Sequence, residues 1–171
     1  EDAITEMVKP FNDKTIGCIA GEKRVMAKTN SGIATKGEGI YWKYESALKD
    51  LDARLYSAMG AAGELFAIKT DLFDPIEPDA ILEDYILSMR VVMKGYKISY
   101  TQKAYAIENG SKNMHEEEKR KVRIAAGGMQ SILRLKGLLN PFKYGIVTFE
   151  YISHRVLRWS ITPIAFFLMF P

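Results

Sequence analysis

Short apolar runs alternate along this chain with stretches whose apolar residues recur every three or four positions. Ile16-Gly17-Cys18-Ile19-Ala20 and Leu65-Phe66-Ala67-Ile68 are compact apolar runs of strand length. Lys97 to Tyr100 and Ala104 to Ile107 add two short strand candidates. Between them lie helical patterns. Ile4, Met7, Val8 and Phe11 predict a helix limited by Pro10, and Leu82, Tyr85, Met89 and Val92 predict another that Gly95 is placed to end. Glu38 to Tyr56 reads as a helix with Tyr41, Tyr44, Leu48, Leu51 and Leu55 on one face, and Glu116 to Lys136 as a long helix. Asn30 to Gly39, rich in Gly, Ser, Thr and Lys, reads as a loop; Pro75 and Pro78, and Asn109-Gly110-Ser111, mark turns. Strands alternating with helices predict an α/β sheet domain.

Charge and cysteine usage narrow the function classes. The net charge is +3 over 171 residues, with no Lys/Arg block interleaved with exposed aromatics, so nucleic acid is not an expected partner. Cys18 is the single cysteine, which excludes an internal disulfide and suits a reducing compartment; with only His115 and His154 beside it, no Cys/His zinc set is available. Both ends read as cut from a longer protein. The apolar run from Ile161 to Pro171 is eleven residues, whereas a bilayer-crossing helix needs about 20. Arg155, Arg158 and Trp159 precede it as interface anchors would. The run is therefore expected to begin a membrane segment, behind an amphipathic, interfacial stretch from Phe142 to Trp159. Residues 1–138 are assigned to a catalytic domain and 139–171 to the interfacial helix and truncated membrane segment.

Three places carry candidate chemistry. Glu83 and Asp84 open the third helix, and neighbours on a helix point about 100° apart, so only one of them faces a given cleft. One can act as a base while the other caps or pairs; acids there also complement the helix dipole with no further role. Arg120 and Arg123 are three apart on one helix, where two guanidinium forks can grip a diphosphate or simply pair with Glu116 to Glu118. Gly60-Ala61-Ala62-Gly63 lets backbone approach a ligand closely, or serves as a plain strand-entry turn; it matches neither nucleotide-phosphate loop pattern.

Taken in order, these pieces resemble the family 2 glycosyltransferases, the inverting membrane enzymes related to cellulose, chitin and hyaluronan synthases, and most of all their bacterial polysaccharide-building members. The resemblance runs from about Ile16 to the end. It includes Gly60-Ala61-Ala62-Gly63-Glu64-Leu65-Phe66-Ala67-Ile68, Leu82-Glu83-Asp84, Arg120 to Gly127, and Ser153-His154-Arg155-Val156-Leu157-Arg158-Trp159. It implies the second half of a GT-A-like mixed-sheet domain, which binds a nucleotide-diphospho-sugar. The family's Thr-Glu-Asp motif reads Leu82-Glu83-Asp84 here, which gives Asp84 the role of general base and leaves Glu83 with Gly60, Ala61, Ala62 and Gly63 on the acceptor side. The family's Gln-x-x-Arg-Trp motif aligns with Arg120 to Ile124. Arg120 and Arg123 then hold the donor diphosphate, and the missing Trp favours transfer of one sugar per encounter over processive synthesis. The Asp-x-Asp motif that holds a divalent Mn or Mg ion is expected upstream of Glu1, so the fragment alone is expected to be inactive. The implied partners are a nucleotide-sugar donor, a glycan or lipid-linked acceptor and the bacterial inner membrane, with the catalytic part facing the cytoplasm. A non-catalytic membrane-associated interaction module remains the rival from another class.

Overall fold

A computed structural model describes residues 2–26, 33–109 and 114–169. Helix α1 (Asp2–Val8) runs into a tight turn over Lys9–Asn12 and then strand β1 (Ile16–Met26). Helix α2 (Ile33–Leu55), strand β2 (Phe66–Ile68), helix α3 (Glu83–Met93) and strand β3 (Lys97–Asn109) follow. Helix α4 (Met114–Arg134) leads to a train of short helices: α5 (Pro141–Tyr144), α6 (Ile146–Tyr151), a wide π turn over Ile152–Val156, α7 (Leu157–Trp159) and α8 (Ile161–Met169).

The three strands form a mixed sheet in the order β2-β1-β3, with β1 antiparallel to β2 and parallel to β3. The central strand is covered on both faces, which is why its first half is apolar at successive positions. Cys18 and Ala20, with Ile98 on β3, enter the main core beside Met59, Tyr85, Met89 and Val91. Ile19, pointing the other way, joins Met7 of α1 and Ala104 in a smaller core. Chain connectivity brings α3 back over β1 and β3, and the residues leading into β2, Gly63 and Phe66, border one hollow with Glu83 and Asp84 at the start of α3.

Several expectations are corrected. Helix α2 begins at Ile33, so most of the glycine-rich stretch expected as a loop is helical; residues 30–32 lie outside those described, as do residues 110 and 111 of the expected turn. The two short strands near the end of the sheet are one strand, β3, whose register against β1 slips between Gly21↔Thr101 and Glu22↔Tyr105. That irregularity supplied the break seen in the sequence. Helix α2 also turns the opposite way from its apolar pattern. Tyr44, Leu51 and Leu55 are 60%, 60% and 57% exposed, while Glu45, Lys49 and Asp52 are buried.

The stretch expected to be interfacial is broken at Gly145 and by the π turn, and it contributes Val147, Tyr151, Val156 and Trp159 to the main core. Among the described residues no helix is long and apolar enough to cross a membrane. Helix α8 is nine residues long and shows solvent Ile161, Ile164, Phe166, Phe167, Leu168 and Met169.

Candidate active site

The turn after α2 is stapled from both sides. Ala58 N donates to Ile98 O at 3.0 Å, and Ile98 N donates to Ser57 Oγ at 2.9 Å, which fixes the turn to β3. Ala61 N donates to Ser88 Oγ at 3.0 Å, which in turn donates to Tyr85 O at 2.9 Å, so the same turn is tied to α3. Gly60 has φ +101°, in the left-handed region, and the Tyr85 ring fills the space a side chain there would need. Only glycine meets both conditions without strain.

This stapling sets Gly63 against Asp84. A Cβ on Gly63 would stand 3.1 Å from Asp84 Oδ2. Asp84 Oδ1 accepts the backbone N–H of Tyr85 at 2.8 Å, and the side chain forms no ion pair among the described residues. Tyr85, Ile86 and Met89 take the core face of α3, which leaves Asp84 half-buried at the edge and Glu83 exposed. Gly63, Glu83 and Asp84 together border a hollow of about 420 Å³. Phe66, Phe73, Ile76, Pro78, Ala80 and Leu87 supply its apolar wall, and Glu77 adds a further carboxylate.

The loop that makes one wall is clamped by residues that sequence reasoning passed over. Gln130 on α4 accepts from Ile81 N at 3.0 Å and donates to Asp79 O at 2.9 Å. Arg134, one turn on, donates to Asp79 Oδ2 at 2.7 Å. Arg90 of α3 pairs with Glu77 at 2.5 Å and donates to Pro75 O at 3.2 Å. Helix α4 comes close enough for this because Gly127 lies against Leu82, where a Cβ would stand 2.6 Å from Leu82 Cγ, and Gly128 lies against the Trp159 ring. Their i, i+4 spacing puts Gln130 and Arg134 on one face, a signal visible in the sequence but without a partner to point to.

The two arginines assigned to the diphosphate stand elsewhere on α4. Arg123 is exposed, one turn before Gly127. Arg120 is half-buried, 5.6 Å from the centre of the Trp42 ring and 3.4 Å from Glu117. Neither lines the hollow beside Asp84. Buried Lys23, 4.6 Å from the centre of the same Trp42 ring, pairs with Glu64, the residue after Gly63, and with Glu108 at 2.6 Å.

A second feature absent from the sequence reading is a buried charged layer between α2 and the C-terminal helices. Glu45 receives Arg155 at 3.2 Å and Arg158 at 2.8 Å, and Arg155 Nε donates to Met59 O at 2.8 Å in the stapled turn. Burial pushes the Glu45 carboxyl up, but the two guanidinium groups outweigh it and hold the group at about 2. Lys49, one turn along, is lowered to about 8 by burial and by Arg155. Asp52 stands 2.7 Å from His154 Nδ1 and is raised by burial against the pull of that ring. Glu150 is fully buried, its carboxyl oxygens have no well-formed hydrogen bond among the described residues, and burial with the nearby Asp52 charge raises it to about 8 against the pull of the Ser57 backbone. Glu45, Lys49 and Asp52 recur at helical spacing, as do Arg155 and Arg158, so the pattern is legible once burial is known.

Among the described residues no group of three or more His, Cys, Asp or Glu side chains could hold a metal ion.

No protein-family model matches the chain, and no curated protein matches it. Among solved structures the fold is similar to that of the mannosyltransferase PcManGT from Pyrobaculum calidifontis in complex with GDP-Man and Mn2+, with a TM-score of 0.62 and 19% sequence identity. The match covers 96% of this chain and 44% of that one. The chain thus has a mixed α/β fold resembling part of that glycosyltransferase and spans less than half the length of that neighbour.

Proposed function

We propose that this chain is the acceptor-side part of an inverting glycosyltransferase of the family 2 type. It would move a sugar from a nucleotide-diphospho-sugar to a glycan or lipid-linked acceptor. The observation that carries the reading is the meeting of Gly63 and Asp84 at the rim of a preformed hollow, in a fold shared with a mannosyltransferase. Asp84 has one oxygen committed to the Tyr85 amide, which holds the carboxylate in place. Its Oδ2 is the candidate base: it takes the proton of an acceptor hydroxyl as that oxygen bonds to the anomeric carbon. The bond from that carbon to the diphosphate oxygen breaks on the opposite side, so the configuration inverts. The chain's Arg120 and Arg123 lie outside the hollow, which suits groups that would meet the donor diphosphate rather than the acceptor. A divalent ion, present in the neighbour with its nucleotide sugar, would be held by residues other than those described here.

The exposed apolar residues of α8, with Phe142 fully exposed and Phe149 64% exposed, support seating of this end at a membrane, in our reading the bacterial inner membrane. Ile124 in place of the family's Trp supports addition of one sugar per encounter. The test is direct: incubate the full-length protein with a panel of nucleotide sugars, GDP-mannose first, with Mn²⁺ or Mg²⁺, and follow donor consumption and the anomeric configuration of the product. Absence of any donor turnover, with an acceptor panel present, removes the enzyme reading and leaves a membrane-associated binding module.

A further inference from the structure

We propose that the hollow beside Asp84 selects a neutral sugar unit of the acceptor, seated against Phe73, and rejects phosphorylated or acidic units. The proposal rests on the glycosyltransferase reading and goes on to name the acceptor chemistry.

Charge is the first argument. Among the described residues, those that line the hollow include Glu77, Glu83 and Asp84 and no lysine, arginine or histidine. Arg90 and Arg134, the cations that clamp the loop, are spent on it: Arg90 on Glu77 and Pro75 O, Arg134 on Asp79 and, at 3.8 Å, on Glu77. Glu77 is thereby balanced, whereas Glu83 and Asp84 form no ion pair among the described residues, the buried Lys49 ammonium acting on Asp84 through space without pairing to it. An anionic group brought within about 4 Å of such a carboxylate near a protein surface is repelled strongly enough to lose about tenfold or more in binding.

Shape and surface are the second argument. The remaining wall is apolar, and Phe73 leaves 56% of its surface exposed although it belongs to a loop fixed by Gln130, Arg134 and Arg90. A rigid, open aromatic face with electron-rich π density suits the C–H face of a pyranose ring, whose hydroxyls at the edge find acceptors in Glu83 and Asp84. An alkyl chain would gain from the apolar wall but would offer no hydrogen-bond donor to Glu83 or to Asp84 Oδ2. The volume, about 420 Å³, lies within the range of small-ligand sites.

The experiment is an NMR titration of the isotope-labelled full-length protein, following the Gly63 amide and the Phe73 ring. Its probes are a methyl hexoside, the 6-phosphate of that hexoside, the matching methyl uronate and octanol. The expected result is that the neutral hexoside moves both signals, that the phosphate and the uronate bind at least tenfold more weakly, and that Phe73→Ala weakens the hexoside about tenfold in a folded protein. Equal or tighter binding of the charged sugars overturns the proposal, as does a response at these signals to octanol alone or to no probe. Hexoside binding here without donor turnover would sink the enzyme reading and keep the site. Turnover onto phosphorylated acceptors with the hollow indifferent would do the reverse.

Discussion

Gly63 and Asp84 stand so close that a single methyl group on the glycine would come within 3.1 Å of the carboxylate oxygen Oδ2. The turn and the helix N-terminus are thus one construction. Gly63→Ala, at a position without positive φ, is expected to keep or slightly raise stability, by up to about 1 kcal/mol, while displacing the carboxylate. A misplaced base lowers turnover by roughly tenfold to a hundredfold. Asp84→Asn is expected to cut kcat by about 10² or more with the donor KM little changed. Steady-state kinetics with thermal melts check both; normal turnover in the Asn variant would take Asp84 out of the site.

Gly60 is expected to tolerate no side chain. Its φ of +101° and the Tyr85 ring against it combine strain with a clash. Gly60→Ala should destabilise the fold by about 1–3 kcal/mol, seen as a lower denaturant midpoint with an unchanged m-value. An unchanged midpoint would mean the turn adjusts freely.

Glu45 joins α2 to Arg155 and Arg158 across the interior. Removing one side of a buried pair leaves uncompensated charge, so Glu45→Ala should cost about 3–5 kcal/mol. The pH dependence has a definite sign. The folded carboxyl is held at about 2, below the ordinary glutamate value of 4.5. Its contribution is therefore present above pH 4.5 and is lost as pH falls toward 2. Urea melts between pH 2 and 6 should show that loss in the native protein and a flatter profile in Glu45→Gln.

Glu150 predicts the opposite trend. Its folded carboxyl titrates at about 8, above 4.5, so the folded state keeps a proton that the unfolded chain releases. Stability is expected to fall as pH rises from 4.5 to about 8, by at most about 1.4 kcal/mol per pH unit, the linkage limit for one proton. Glu150→Gln should abolish that slope and be the more stable protein at pH 8. A native profile identical to the variant's would show that Glu150 ionises inside the fold without penalty.

Much of the architecture was legible because it is local. Successive apolar residues at 16–20 announce a strand buried on both faces, and the helix from Glu83 follows from its apolar spacing, its acidic first turn and the glycine at position 95. The α/β class and the closeness of the Gly60–Gly63 turn to the Glu83-Asp84 pair in chain order came from the same signals. Tertiary structure alone decided which face of α2 is buried. Periodicity tells which residues share a face, and it gave Tyr44, Leu51 and Leu55 one side and Glu45, Lys49 and Asp52 the other. Burying the charged side is favourable only because Arg155, Arg158 and His154 arrive from more than a hundred residues away to meet it. The same holds for the clamp of Gln130 and Arg134 on the loop that walls the hollow. A side chain's partner across the fold leaves no local pattern, because the energy that places it belongs to the pair and not to either stretch of chain.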